Sequence, residues 1–115
     1  MNIRDIEIKS KIWFERSGKP VFGEGRYRIL KAVDLNGSIS AAARLLGMSF
    51  RDVWYNVDRA ERNLGVRLLT REKGGRGGGR SILTREARFL MEEYERATEE
   101  GSLFMNRVAE ERNAR

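Results

Sequence analysis

The spacing of apolar residues along this chain changes period, and the change marks where one kind of element gives way to another. Over residues 6–14 the pattern alternates: Ile6, Ile8, Ile12 and Phe14 fall on one parity, and Glu7, Lys9 and Lys11 on the other. Period two with β-branched residues predicts a strand over 6–14 with one buried face. Ser17-Gly18-Lys19-Pro20 supplies turn chemistry and Val21-Phe22 a short return strand, so a β-hairpin is expected to open the fold.

From Gly25 the spacing becomes helical. Tyr27, Ile29, Leu30 and Val33 predict a helix over about 25–35, stopped by Asn36-Gly37. Ser38 offers a capping oxygen to a second helix, Ala41-Ala42-Ala43-Arg44-Leu45-Leu46, which ends at Gly47. Ser49 caps a third, with Asp52 in the position of a capping box, and Val53, Val57, Ala60 and Leu64 form its buried stripe up to Gly65. Two helices joined by so short a turn approach closely. Ala42 and Ala43 leave the room, Gly47 accepts a positive φ, and Met48 places an apolar residue just after it. These coinciding constraints predict a helix-turn-helix.

Beyond it, Leu68-Leu69 and Ile82-Leu83 are short apolar runs on either side of a basic, glycine-rich tip, which describes a wing over 71–83. Thr84 caps a last helix. Its stripe of Ala87, Leu90, Tyr94, Ala97, Gly101, Phe104 and Val108 recurs at spacings of 3, 4, 3, 4, 3 and 4. Run to about residue 110, that helix is about 40 Å long and outreaches a small domain, so part of its stripe needs another partner. A second copy of the chain is the simplest one. The expected architecture is mainly α with small β: a winged helix-turn-helix with an N-terminal β-hairpin and a long C-terminal helix. Residues 1–84 are expected to form the domain and 85–115 a dimerisation element.

Charge gives this architecture a partner. The 115 residues carry 23 Lys and Arg against 17 Asp and Glu, a net charge of +6. Residues 1–43 hold net +3, residues 44–88 net +6 and residues 89–115 net −3. The basic block coincides with the helix-turn-helix and wing and favours a polyanion. Histidine and cysteine are both absent, which removes an imidazole base, a thiolate nucleophile and the usual zinc ligands. No paired carboxylates stand out as acid and base. Gly75-Arg76-Gly77-Gly78-Gly79 lacks the Gly-Lys-Ser/Thr ending of a phosphate-binding loop. No enzyme, metal or cofactor is therefore expected. No apolar run approaches the roughly 20 residues of a membrane span. Met1 to Glu7 carries acidic residues where a signal peptide needs apolar ones, so a cytoplasmic chain without a membrane partner is expected.

Double-stranded DNA is the expected partner, with the third helix, 49–64, in the major groove. Its outer face near the start offers Ser49, Phe50, Arg51, Trp54 and Tyr55. Arg51 can pair with guanine O6 and N7 or hold a phosphate. Phe50 either meets a thymine methyl or packs on the preceding helix. Trp54 either packs between helices or touches sugar and base. Tyr55 and Arg59 can reach the backbone, Ser38 and Ser40 can present hydroxyls to phosphates, and Lys73, Arg76 and Arg80 on the wing can hold phosphates or enter the minor groove. The seam expected between copies is Leu90, Tyr94, Ala97, Gly101, Phe104 and Val108. The competing reading is an architectural or RNA-binding basic protein without sequence-specific regulation, suggested by the Gly-Arg segment at 74–80.

The run Gly37-Ser38-Ile39-Ser40-Ala41-Ala42-Ala43-Arg44-Leu45-Leu46-Gly47-Met48-Ser49 resembles the helix-turn-helix of LysR-type and molybdate-responsive, ModE-type regulators. The ModE-type DNA-binding domain is the nearer likeness. It rests on Gly18 to Arg26, on Met48-Ser49-Phe50-Arg51 with Trp54 and Val57, and on Gly74 to Gly79 leading to Leu83-Thr84. The resemblance spans roughly residues 10–95 and implies a dimeric winged helix-turn-helix that regulates transcription. Full-length ModE-type regulators carry C-terminal domains that bind molybdate or tungstate. This sequence stops at Arg115, so molybdate is not expected to bind this chain, and the sequence names no other effector.

Overall fold

A computed structural model describes residues 2–72 and 79–115. A short 3-10 turn at Ile3–Asp5 precedes the hairpin of β1 (Phe14–Arg16) and β2 (Lys19–Phe22). Then come α1 (Glu24–Asn36), α2 (Ile39–Leu46) and α3 (Phe50–Leu64), followed by β3 (Leu69–Glu72), β4 (Arg80–Leu83) and α4 (Arg85–Ala114). Both strand pairs are antiparallel: Phe14 faces Phe22 in the first, and Leu69 faces Leu83 in the second. The first hairpin turns through Ser17 (φ 54°) and Gly18 (φ 79°), two positive values in succession, as a two-residue hairpin turn prefers.

The strand expected over 6–14 does not form, and β1 begins only at Phe14. Its partner strand has four residues and already pairs Phe22 with Phe14, so nothing extends the ladder toward the N-terminus. The segment before β1 instead forms an arm whose residues 10–12 lie against α4. The Tyr94 hydroxyl donates to the Ile12 carbonyl at 3.1 Å, and a Cβ placed on Gly101 would lie 2.8 Å from Ile12 Cδ1 and 3.4 Å from Ser10 Oγ.

The helical boundaries follow from their caps. Ser38, Ser49 and Thr84 each accept a hydrogen bond from the amide three residues on, at 3.0, 3.0 and 3.1 Å. α2 ends in a Schellman motif: Gly47 N donates to Arg44 O and Met48 N to Ala43 O, with Gly47 at φ 67° and Met48 packed on the core. Ala42 and Ala43 are buried where α2 packs against its neighbours.

The core is built around α1. Leu30, Val33, Val53, Leu68 and Leu69 are its largest fully buried side chains. Tyr94 joins α4 to the hairpin and α1 through edge and tilted contacts with Phe14, Phe22 and Tyr27 at centroid distances of 5.6, 5.5 and 5.2 Å. Beyond this cluster α4 carries the N-terminal arm at Gly101 and continues to Ala114. At 30 residues it is about 45 Å long. The radius of gyration is therefore 17.8 Å, against roughly 13 Å for a compact chain of this size.

Candidate nucleic-acid interface

The amphipathic pattern of α3 fixes which side faces out. Val53, Val57 and Ala60 are buried, which turns Phe50, Arg51, Trp54, Tyr55 and Arg59 to the exterior. Phe50 and Tyr55 are each 53 % exposed and Trp54 40 %. Arg59 stacks over the Tyr55 ring at 5.8 Å. Charge on this helix is sorted. Arg62, further along, is paired with Asp58 at 2.9 Å. Among the described residues, Arg51 and Arg59 have no carboxylate within 4.0 Å. Cations left unpaired on a helix whose other face is core are free to meet an anion.

Ser49 is exposed at the N-terminus of α3 and Ser40 on the first turn of α2, while Ser38 is half-buried as the α2 cap. Each capping oxygen accepts an intrahelical amide and keeps its hydroxyl proton to donate. Arg80 is exposed at the start of β4. Lys73 and Arg76 lie outside the described residues. The wing is anchored at its base. Ser81 N donates to Gly37 O at 2.9 Å, at the corner between α1 and α2, and Thr84 donates its hydroxyl to Arg67 O at 2.7 Å.

The residues expected along the copy-to-copy seam divide into two groups. Tyr94 is buried in the core of its own chain, and Gly101 seats the N-terminal arm, so both face inward. Leu90 packs partly on the core, and Ala97 and Val108 are half-buried. Phe104 is 52 % exposed, with Leu103 beside it at 51 % and Phe89 at 65 %.

Three residues with positional roles carried no signal in the hydrophobic pattern. Glu61 is buried and accepts from Leu68 N at 2.8 Å and Leu69 N at 3.3 Å, which ties α3 to the first strand of the wing. Arg16 donates to Leu64 O at 2.6 Å, closing the C-terminus of α3 from the hairpin. Arg26 donates to Val21 O at 2.7 Å from the first turn of α1. Burial, and next the charge of Arg59, lower the Arg26 pKa, with Tyr55 acting in the opposite direction. Arg26 stands inside the Gly18 to Arg26 segment that carries the family likeness, but only the fold brings it to α3.

Among the described residues no cluster of three acidic, His or Cys side chains could hold a metal ion, and no helix is long and apolar enough to cross a membrane.

A helix-turn-helix that leads into an anchored two-stranded wing, with exposed arginines on its outer helix, defines a winged helix-turn-helix regulator domain. The chain belongs to the lysR family of bacterial regulatory helix-turn-helix proteins, which residues 25–88 match. It is 36 % identical over 80 residues to the molybdenum-pterin-binding protein MopB of Rhodobacter capsulatus, covering 70 % of this chain and 29 % of MopB. It is 34 % identical over 70 residues to the DNA-binding transcriptional dual regulator ModE of Escherichia coli K12, covering 61 % of this chain and 27 % of ModE. The matched segment thus spans under a third of the length of these relatives. Its fold matches the CbnR_DBD–DNA complex with a TM-score of 0.56 at 27 % identity, over 79 % of this chain and 97 % of that one.

Proposed function

We propose that this chain binds double-stranded DNA by sequence and regulates transcription as a dimer. The observation that carries the reading is the outer face of α3, where Arg51, Trp54, Tyr55 and Arg59 are exposed together and, among the described residues, neither arginine is paired with a carboxylate. The N-terminal turns of α3 enter the major groove, with Arg51 at base edges. Ser38, Ser40 and Ser49 meet phosphates, and the wing, with Lys73, Arg76 and Arg80, follows the backbone or the minor groove. Family membership and the DNA complex of CbnR_DBD support this reading.

Pairing runs along α4 beyond its own core, with Phe104 central and Leu90, Ala97 and Val108 flanking it. Exposed Leu103 and Phe104 on a helix that outreaches its domain support the pairing. No effector is assigned; the names of MopB and ModE describe proteins more than three times the matched length.

Selection of bound duplexes from a random pool tests the reading. The expected result is one enriched half-site, repeated with inverted symmetry. Binding of all duplexes alike points to an architectural protein, and preference for single-stranded RNA over duplex DNA to the RNA-binding alternative; either rejects the proposal.

A further inference from the structure

We propose that Arg26 and Arg59 together hold a single DNA backbone phosphate at the flank of α3, making Arg26 a positioning residue supplied from α1. The proposal rests on the DNA-binding reading above and extends it to a residue outside the helix-turn-helix. Arg26 is on the first turn of α1, half-buried, with one arm of its guanidinium fixed on Val21 O at 2.7 Å. It lines the same crevice as Asn56, Val57 and Ala60, and Arg59 lies one turn along α3 from Asn56. Arg59 is itself held in place over Tyr55. Among the described residues neither guanidinium has a carboxylate within 4.0 Å, while Arg28, two residues from Arg26, is paired with Glu24 at 2.6 Å.

Two unpaired cations fixed on neighbouring elements cost free energy in the absence of a shared counter-charge. Burial and the nearby Arg59 charge both work against the Arg26 cation, and an anion between the two relieves both. The anion is a phosphodiester because of position. The pair flanks the face that presents Arg51 and Tyr55, where a groove-bound helix passes the backbone of one strand. A guanidinium anchored through one nitrogen keeps its others for phosphate oxygens, a geometry that suits arginine and not lysine.

The test is fluorescence anisotropy over a range of salt, with the full chain and a duplex in which each backbone phosphate is replaced in turn by a neutral methylphosphonate. Arg26→Met and Arg59→Gln are each expected to weaken binding by about fivefold to thirtyfold and to lower the salt slope by about one. Cognate and random duplexes should be affected alike. One methylphosphonate position is expected to mask both losses, and the double variant to lose less than the product of the single losses. A phenylglyoxal footprint of the wild-type chain, read by mass spectrometry, needs no variant: duplex is expected to protect Arg26 and Arg59 together while Arg62 reacts unchanged. If the wild type binds duplex but Arg26→Met binds with unchanged affinity and slope, or if Arg26 stays reactive in the complex, this proposal falls alone. If the wild type binds no duplex, the DNA-binding reading falls and takes this proposal with it.

Discussion

Arg51 and Glu61 share a helix and divide its work between the outside and the inside. Replacing Arg51 with alanine removes an exposed side chain that has no carboxylate within 4.0 Å among the described residues, so folding should be unaffected. Affinity for a selected duplex is expected to fall by about 1–3 kcal/mol and discrimination at one base pair to relax, as read by competition against single-base variants of the site. Glu61→Ala does the opposite. It strands two buried amides, Leu68 N and Leu69 N, and is expected to cost about 1–3 kcal/mol in urea unfolding while leaving the outer face of α3 chemically intact. The outward set on α3 was legible in sequence because a helical period assigns every position to a face. Glu61 was not, since an acidic residue beside a buried stripe looks like surface until the chain folds back and offers it amides. Arg26 was hidden for the same reason: its neighbours, Val21 and Asn56, are brought to it by different elements.

Local geometry decides the behaviour of whole elements. A Cβ on Gly47 or on Gly25 would meet nothing within 4 Å, yet Gly47 is held at φ 67° and Gly25 lies within the first turn of α1. Gly47→Ala is therefore expected to destabilise the chain by about 1–2 kcal/mol, and Gly25→Ala to leave it unchanged or slightly more stable, in parallel thermal melts. A loss of similar size from both would show that φ is not the cause. The helices, their caps and the two hairpins were readable because each is fixed by residues close in sequence. The strand expected over 6–14 failed because a strand needs a partner, and the alternation of Ile6 to Phe14 says nothing about the length of β2. The same alternation suits an arm with one face on a helix. Gly101→Leu fills the place where Ile12 rests and is expected to release that arm, seen as faster tryptic cleavage after Lys9 and Lys11 with α4 still helical by circular dichroism.

At the scale of the molecule, α4 is both a core element and a projecting one. The core part has a signature at alkaline pH. Burial, reinforced by the hydrogen bond from its hydroxyl to Glu95, raises the Tyr27 pKa to about 12, and burial raises that of Tyr94 as well. A phenol that holds its proton more tightly when folded contributes stability that is complete below the ordinary tyrosine value near 10 and is lost as pH rises through the folded value. The urea midpoint is expected to fall between about pH 10 and 12, and Tyr27→Phe to flatten that fall; an identical profile for Tyr27→Phe would remove Tyr27 as its source. The projecting part is tested by Phe104→Glu, which should shift the chain to monomer in sedimentation equilibrium and weaken duplex binding while leaving the melting curve of the domain nearly unchanged. The length of α4 has one more consequence. In the pairing proposed above, the stretch of α4 between the core and Phe104 carries each α3 at a fixed distance from the seam. Inserting seven residues there keeps the apolar stripe in phase but moves each α3 by about 10.5 Å. That is about a third of the roughly 34–36 Å turn that sets the spacing of half-sites, so the inserted chain is expected to lose the duplex selected by the wild type while remaining a dimer in sedimentation equilibrium.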